Sequence, residues 1–209
     1  VVARVMCGER AALVHADPPY GMSLDTEFDK MFSADVSHRR TGKRFRAVIG
    51  DEAAFDPRPF LDIADESFWW GADYYCQLLP SGGSWLCWDK RDNDAGMNLD
   101  AVAGSCFELC WSKTKHKKEL LRFTWSGHHG LQSQDTVSRV HPNQKPVELV
   151  ATLLGKCDGV IFDPFLGSGT TIIAAEQLNR RCFGIEIDPG YCDVIVERWE
   201  NLTGGKATR

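Results

Sequence analysis

Long hydrophobic runs are missing from this chain. No stretch of eighteen or more apolar residues occurs, so no membrane span is expected. The N-terminus lacks a charged start followed by a long apolar run, which speaks against a secretory signal peptide. Internal repeats, low-complexity tracts and convincing linkers are also absent. The 209 residues are therefore expected to form a single domain with a sizeable core. Cysteines are plentiful but unpaired in pattern: eight occur, with no Cys-x-x-Cys pair and no His/Cys cluster at metal-ligand spacing. Cys87, Cys106, Cys110 and Cys182 sit in apolar runs and read as small core residues. Cys106 and Cys110, four apart, and the pair His128 and His129 lack the further ligands a metal needs, so no metal is expected. A reduced, cytoplasmic setting fits this usage. Positive charge is in deficit, 24 Lys and Arg against 29 Asp and Glu, for a net charge of −5. The chain as a whole is thus no polycation, and any nucleic-acid contact must come from local clusters.

Two such clusters exist. Arg39, Arg40, Lys43, Arg44 and Arg46 lie within eight residues of one another, and Lys113 and Lys115 open a second run with Lys117 and Lys118. Either could meet a phosphate backbone in a salt-sensitive way; either could also be a solvated loop. The first follows the most informative motif of the chain, Asp17-Pro18-Pro19-Tyr20, which ends the apolar run 11–16. Each proline fixes its own φ, lacks an N–H and pushes the preceding residue to an extended conformation. The Asp17 and Pro18 carbonyls are left as outward acceptors, with Tyr20 a flat face beside them. Such a clamp suits a planar group bearing an exocyclic amine.

A second motif lies far down the chain. Residues 159–163 read as a buried strand running into Pro164-Phe165-Leu166-Gly167-Ser168-Gly169-Thr170-Thr171 and then a helix over 172–178. Glycines permit a sharp turn and close ligand approach. The helix N-terminus offers free N–H groups and a positive dipole end. The next strand, 182–188, carries Glu186 and Asp188 about 20 residues past the glycines, the spacing at which an acid holds ribose hydroxyls. No Gly-Lys-Ser/Thr follows, so this is not a phosphate loop. A third segment, His141-Pro142-Asn143-Gln144-Lys145-Pro146, opens the preceding helix with Pro146 as its expected first residue and 147–154 as its body.

The remaining elements are expected as follows: a helix over 59–79 with the Trp69-Trp70 pair as packing, a turn at 80–83, a strand over 84–88, a short helix over 98–103, a strand over 106–111, a strand over 120–125 paired with a neighbour, and a last helix over 189–202. Together they predict a three-layer α/β sandwich. Its sheet is largely parallel, with helices on both faces and with Asp17 and Asp163 side by side at the carboxyl edge.

Taken in order, these motifs make the chain resemble the DNA amino-methyltransferases, which methylate adenine N6 or cytosine N4 with S-adenosylmethionine. With the clamp first and the glycine loop last, the order is similar to the permuted β class. The resemblance spans residues 11–197, nearly the whole chain. It implies a Rossmann-like methyltransferase fold with a terminal antiparallel hairpin, and double-stranded DNA as partner. Asp17, Pro18, Pro19 and Tyr20 would be catalytic, acting on a flipped base without any covalent nucleophile. Asp163, Phe165, Gly167, Ser168, Gly169, Thr170 and Thr171 would bind the cofactor, with Phe165, Gly167, Gly169 and Thr170 at its methionine end. Glu186 and Asp188 would take the ribose side, and His141, Asn143 and Lys145 the neighbouring wall. Asp at the head of the tetrad favours adenine over cytosine. A bacterial, phage or mobile-element setting is implied, and a homodimer is compatible with the family.

Two departures stand out. Only sixteen residues precede Asp17 and Val1 is not an initiator Met, so a segment that closes the cofactor pocket in relatives is not seen, and an N-terminal truncation stays open. No long insert exists to read a target sequence, which leaves that role to 24–58, to 112–140 or to a partner. The rival readings are an RNA or protein-glutamine amino-methyltransferase and a non-catalytic nucleic-acid-binding relative. The third motif and the permuted order argue against the first, the intact Asp17 and glycine loop against the second.

Overall fold

The computed structural model describes residues 1–22, 48–90, 105–123, 140–141 and 143–208. The elements, in chain order, are helix α1 (Val2–Val5), strands β1 (Leu13–Ala16), β2 (Glu66–Trp70), β3 (Ser84–Asp89), β4 (Phe107–Ser112) and β5 (Glu119–Arg122), helix α2 (Val147–Leu154), strand β6 (Ile161–Asp163), helix α3 (Thr170–Gln177), strand β7 (Cys182–Gly184) and helix α4 (Pro189–Thr203). The seven strands form one sheet in the order β5-β3-β4-β2-β1-β6-β7. Pairing is parallel everywhere except at β4, which runs against both β2 and β3.

Each face of the sheet packs its own core. On one face Leu13, Phe68, Trp70, Leu86, Trp88 and Ile161 meet Leu149, Val150, Leu153 and Leu154 of α2 and Ile173 to Ala175 of α3. On the other, Val14, Ala16, Trp69, Trp111 and Phe162 meet Met6 after α1, Leu61, Ala64 and Tyr75. The central strands β1 and β2 are buried at every position because both of their faces are covered.

The second face corrects the expected helix over 59–79. That stretch is a 3₁₀ turn (Arg58–Phe60), strand β2 and two further 3₁₀ turns (Ala72–Tyr74 and Cys76–Leu78). Apolar residues three or four apart in a chain of turns imitate one helical stripe. Phe68, Trp69 and Trp70 instead alternate between the two cores. The Trp69-Trp70 pair is packing, as expected, with both side chains fully buried. Gly71, in the left-handed region at φ 63°, ends the strand.

The expected terminal hairpin is also rearranged. β5 joins the sheet edge parallel to β3, while the antiparallel pairs belong to β4. Residues 124–125 and the expected helix over 98–103 lie outside the described residues. Pro146 caps α2 in an extended conformation instead of being its first helical residue. The strand expected over 182–188 stops at Gly184, although Ile185 still donates its N–H to the Asp163 carbonyl at 2.9 Å.

Candidate active site at the carboxyl edge

The register of the parallel strands builds the site. Leu13 lies opposite Ile161 and Val14 opposite Phe162, so β1 and β6 end together. The loops that leave them, with Asp17 and Asp163 at their roots, open on one cavity of about 320 Å³, the lower end of the size common for small-molecule sites. Asp17, Pro18 and Pro19 line it from the β1 side. Asp163, Phe165, Gly167, Ser168, Thr170 and Thr171 line it from the glycine loop, and Glu186 and Asp188 from the loop after β7. His141, Asn143 and Lys145 form the wall before α2. The three motifs, far apart in sequence, are thus brought to one place.

Two named residues stand just outside the lining. Gly169 caps α3 with φ 81°, and any Cβ there would lie 2.7 Å from the Ile195 side chain, so close packing against α4 requires glycine. Tyr20 turns its ring onto Tyr74, with centroids 4.7 Å apart and planes at 22°. The same ring rests against Gly71, where a Cβ would collide with it.

The glycine loop is shaped by side chains accepting from its backbone. Asp163 Oδ1 accepts from the Phe165 N–H at 2.8 Å. Glu186 Oε2 accepts from the Gly167 N–H at 2.7 Å, and Oε1 from the Asp188 N–H at 2.8 Å. Arg198 of α4 donates to the Ser168 carbonyl at 2.7 Å and to its Oγ at 3.1 Å. A carboxylate has about four lone-pair sites, so Glu186 retains acceptor capacity on both oxygens.

Beneath the cavity runs a buried polar chain that sequence reasoning missed. Trp70 Nε1 donates to His15 Nε2 at 3.0 Å. Because an indole N–H can only donate, Nε2 must be the bare nitrogen and Nδ1 carries the proton. His15 Nδ1 then donates to Thr171 Oγ1 at 2.9 Å, and the Thr171 hydroxyl donates to Asp163 Oδ2. A histidine inside the otherwise apolar run 11–16 was the available signal.

Charge at the clamp is set by a second missed group, Glu108 of β4. Lys145 Nζ lies 2.6 Å from Asp17 Oδ2 and 3.1 Å from Glu108 Oε2. Lys90 pairs with the other Glu108 oxygen. Lys145 also lies over the Trp70 ring at 5.5 Å and Lys90 over the Trp88 ring at 4.9 Å. Burial pushes the Asp17 carboxyl above its usual range; Lys145 opposes this, and the neighbouring Glu108 charge adds to it. Burial would raise Glu108 as well, but Lys145 and Lys90 together outweigh it and hold that carboxyl at about 2. The two acids differ because Glu108 touches two lysines, whereas Asp17 has one lysine and faces an acid. Burial and the adjacent Asp17 charge push the Tyr20 phenol upward, so its ring stays neutral.

The basic clusters separate from this site. Arg39, Arg40, Lys43, Arg44 and Arg46 lie outside the described residues, as do His128 and His129. Lys113 and Lys115 follow β4, whose antiparallel course carries them to the amino edge, opposite the cavity. Lys113 is a fixture of the fold there: its amine donates to the Leu61 and Ala64 carbonyls at 2.6 and 2.9 Å. Among the described residues no metal-binding group of His, Cys, Asp and Glu occurs, and no helix is long and apolar enough to cross a membrane.

A mostly parallel sheet with a cavity at its carboxyl edge, a glycine loop opening a helix and an acid just after the next strand is the arrangement of the nucleotide-binding α/β class. Within that class the family is specific. The DNA methylase model for N6- and N4-methyltransferases matches residues 67–197, and the chain belongs to that family. Among curated relatives, Type II methyltransferase M.ScaI of Streptomyces caespitosus is 40% identical over 74 residues, 34% of this chain and 24% of that protein. Type II methyltransferase M2.MboI of Moraxella bovis is 26% identical over 136 residues, 63% of this chain and 46% of that protein. The chain thus spans less than half the length of these relatives. The fold is shared with the M1.HpyAVI–SAM complex at a TM-score of 0.53 and 18% identity, over 92% of this chain and 91% of that one. It is also shared with the cytosine-N4-specific PvuII DNA methyltransferase at 0.52 and 13%, over 91% and 80%.

Proposed function

We propose that this chain transfers a methyl group from S-adenosylmethionine to the exocyclic amine of a base in duplex DNA, adenine N6 in preference to cytosine N4. One observation carries the reading: the Asp17-Pro18-Pro19 clamp and the Gly167–Thr171 loop line one cavity, joined by the pairing of β1 with β6. The donor set suits the cofactor. Glu186 keeps lone pairs for two ribose hydroxyls, and the N-terminus of α3 offers N–H groups to a carboxylate. Phe165, Gly167 and Thr170 would hold the methionine end, and His141 and Asn143 the wall. When bound, S-adenosylmethionine supplies an electrophilic methyl on a sulfonium.

The protein's own part is alignment. Asp17 Oδ and the Pro18 carbonyl accept the two amine N–H bonds, which draws the nitrogen lone pair out of ring conjugation. Lys145 holds Asp17 in place from behind at 2.6 Å. Fixing two reactants in this way replaces a bimolecular encounter with an intramolecular one. The target base must leave the duplex to reach the clamp. Tyr20, with Tyr74 stacked on it, offers the aromatic surface beside that position. The cluster Arg39 to Arg46 is proposed for phosphate contact from its place in the sequence directly after the clamp. Preference for adenine rests on Asp heading the tetrad.

Incubation with unmethylated duplex DNA and labelled S-adenosylmethionine, followed by nucleoside mass spectrometry, tests this, with Asp17→Ala as control. N6-methyladenine lost in the variant is expected. N4-methylcytosine would overturn the base preference alone. Cofactor binding without a methylated base would direct attention to RNA or protein substrates, and no cofactor binding would mark a non-catalytic domain.

A further inference from the structure

The row Lys90, Glu108, Lys145, Asp17 runs across three strands and the α2 approach, and the proposed transfer chemistry explains only its last two members. The row lies at the carboxyl edge above an aromatic floor of Trp88 and Trp70, themselves edge-to-face at 6.0 Å. Glu108 opposes Trp88 in the β3–β4 ladder, and Cys110 opposes both Leu86 and, across β2, Trp70. Glu108 therefore projects on the same face as Cys110, the face on which Lys145 arrives. Lys145 is nearly sealed, with 7% of its side chain exposed, so whatever charge faces it decides its energy.

We propose that Glu108 is a positioning residue, the standing counter-ion of Lys145, which lets Asp17 take up the proton released by the methylated amine without leaving the lysine unpaired. This rests on the function proposed above. As the amine lone pair forms the N–C bond, the C–S bond breaks and its electron pair passes to sulfur. The nitrogen then carries one proton too many, and that proton goes to the Asp17 carboxylate. Asp17 becomes neutral and its attraction for Lys145 falls. Glu108, already 3.1 Å from the amine, keeps it paired. Lys90 on the far oxygen keeps Glu108 ionised throughout.

Other titratable groups face this row from the packed elements. His15 of β1 is engaged with Trp70 and Thr171. Tyr20 after β1 and Cys110 of β4 are both pushed upward by burial and stay neutral. Tyr75, also pushed upward by burial, bonds the Trp70 carbonyl. The charge that Asp17 experiences is thus set chiefly by Lys145 and Glu108 and, through Glu108, by Lys90, with His15 a smaller influence.

Two variants move that charge in opposite senses. Glu108→Gln removes a negative neighbour, so Asp17 should ionise at lower pH. Lys90→Met leaves Glu108 less compensated, so Asp17 should ionise at higher pH. Carbon-13 titration of the Asp17 carboxyl in the cofactor-free protein reads both, with separations on the order of one pH unit expected. In single-turnover methylation the acidic limb of the rate should move the same way. Glu108→Gln should also lower the plateau rate at least about tenfold while leaving cofactor affinity by calorimetry unchanged. Unmoved Asp17 titration in both variants, or an unaltered plateau in Glu108→Gln, overturns the proposal. If Glu108→Gln does not fold, Lys90→Met decides: an upward shift upholds the coupling and no shift overturns it. A wild-type protein that methylates nothing sinks the functional reading itself, a result distinct from any ordering of the titrations.

Discussion

Lys145 shows how one side chain takes its role from its neighbours. In the sequence Asn143 and Lys145, both just ahead of Pro146, read alike as wall residues. Folding places the Lys145 amine 2.6 Å from the Asp17 carboxylate. Because burial lifts Asp17 above its ordinary value of 3.8 and only the ionised form accepts the amine, methylation should fall with decreasing pH through a midpoint above that value. A pH–rate profile under single-turnover conditions checks this. Glu108 behaves oppositely. Its carboxyl is depressed from 4.5 to about 2, so its contribution to stability is present above pH 4.5 and drains away as pH falls towards 2. Glu108→Gln should therefore narrow the gap in urea midpoint between pH 6 and pH 3. Gly71 is the third residue of consequence. It combines a φ of 63° with a Cβ position that meets the Tyr20 ring, so Gly71→Ala must displace Tyr20. Methylation should drop while cofactor affinity holds, since neither Gly71 nor Tyr20 lines the cavity; equal losses of both would show a general folding defect instead.

Elements are tied together by the chain Trp70, His15, Thr171 and Asp163, which links β2, β1, α3 and β6. Every member is buried, so every bond matters. Thr171→Val keeps the shape but leaves the His15 Nδ1 proton and Asp163 Oδ2 facing each other across a methyl group. A loss of about 1–3 kcal/mol per unsatisfied group is expected in chemical denaturation. Helix α3 was legible because glycines and threonines mark its start and Ile173, Ala174 and Ala175 its buried side. Residues 59–79 were not, because a strand between two sets of 3₁₀ turns repeats apolar residues at near-helical intervals. Only the pairing of β2 with both β1 and β4 settles which period is real. Glu108 was overlooked for a related reason: a lone acid in an apolar strand has no partner visible along the chain, and its lysines are 18 and 37 residues away in opposite directions.

Across the whole molecule the two edges of the sheet divide the work. The carboxyl edge carries the clamp, the cavity and the charge row; the amino edge carries Glu66, Lys113 and Thr114 in a hydrogen-bonded knot. Lys113→Met should cost stability, about 1–3 kcal/mol from the Leu61 and Ala64 carbonyls it satisfies. The salt dependence of DNA binding should keep its slope, because no phosphate contact is lost. Replacing Arg39, Arg40 and Lys43 together should flatten that slope. A result the other way round would move the DNA to the amino edge.

The three motifs, their order, the parallel α/β class and most of the residues from Asp17 to Asp188 that line the cavity were readable along the chain. Each is a local pattern, in which prolines, glycines and strand-end acids dictate backbone shape within a few residues. The partners of Lys145, the tautomer of His15, the seat of Tyr20 on Gly71 and the side of the sheet to which Lys113 belongs were settled by tertiary structure alone. Each of these depends on which strands lie next to each other and in which direction, and burial then makes every such long-range contact energetically decisive.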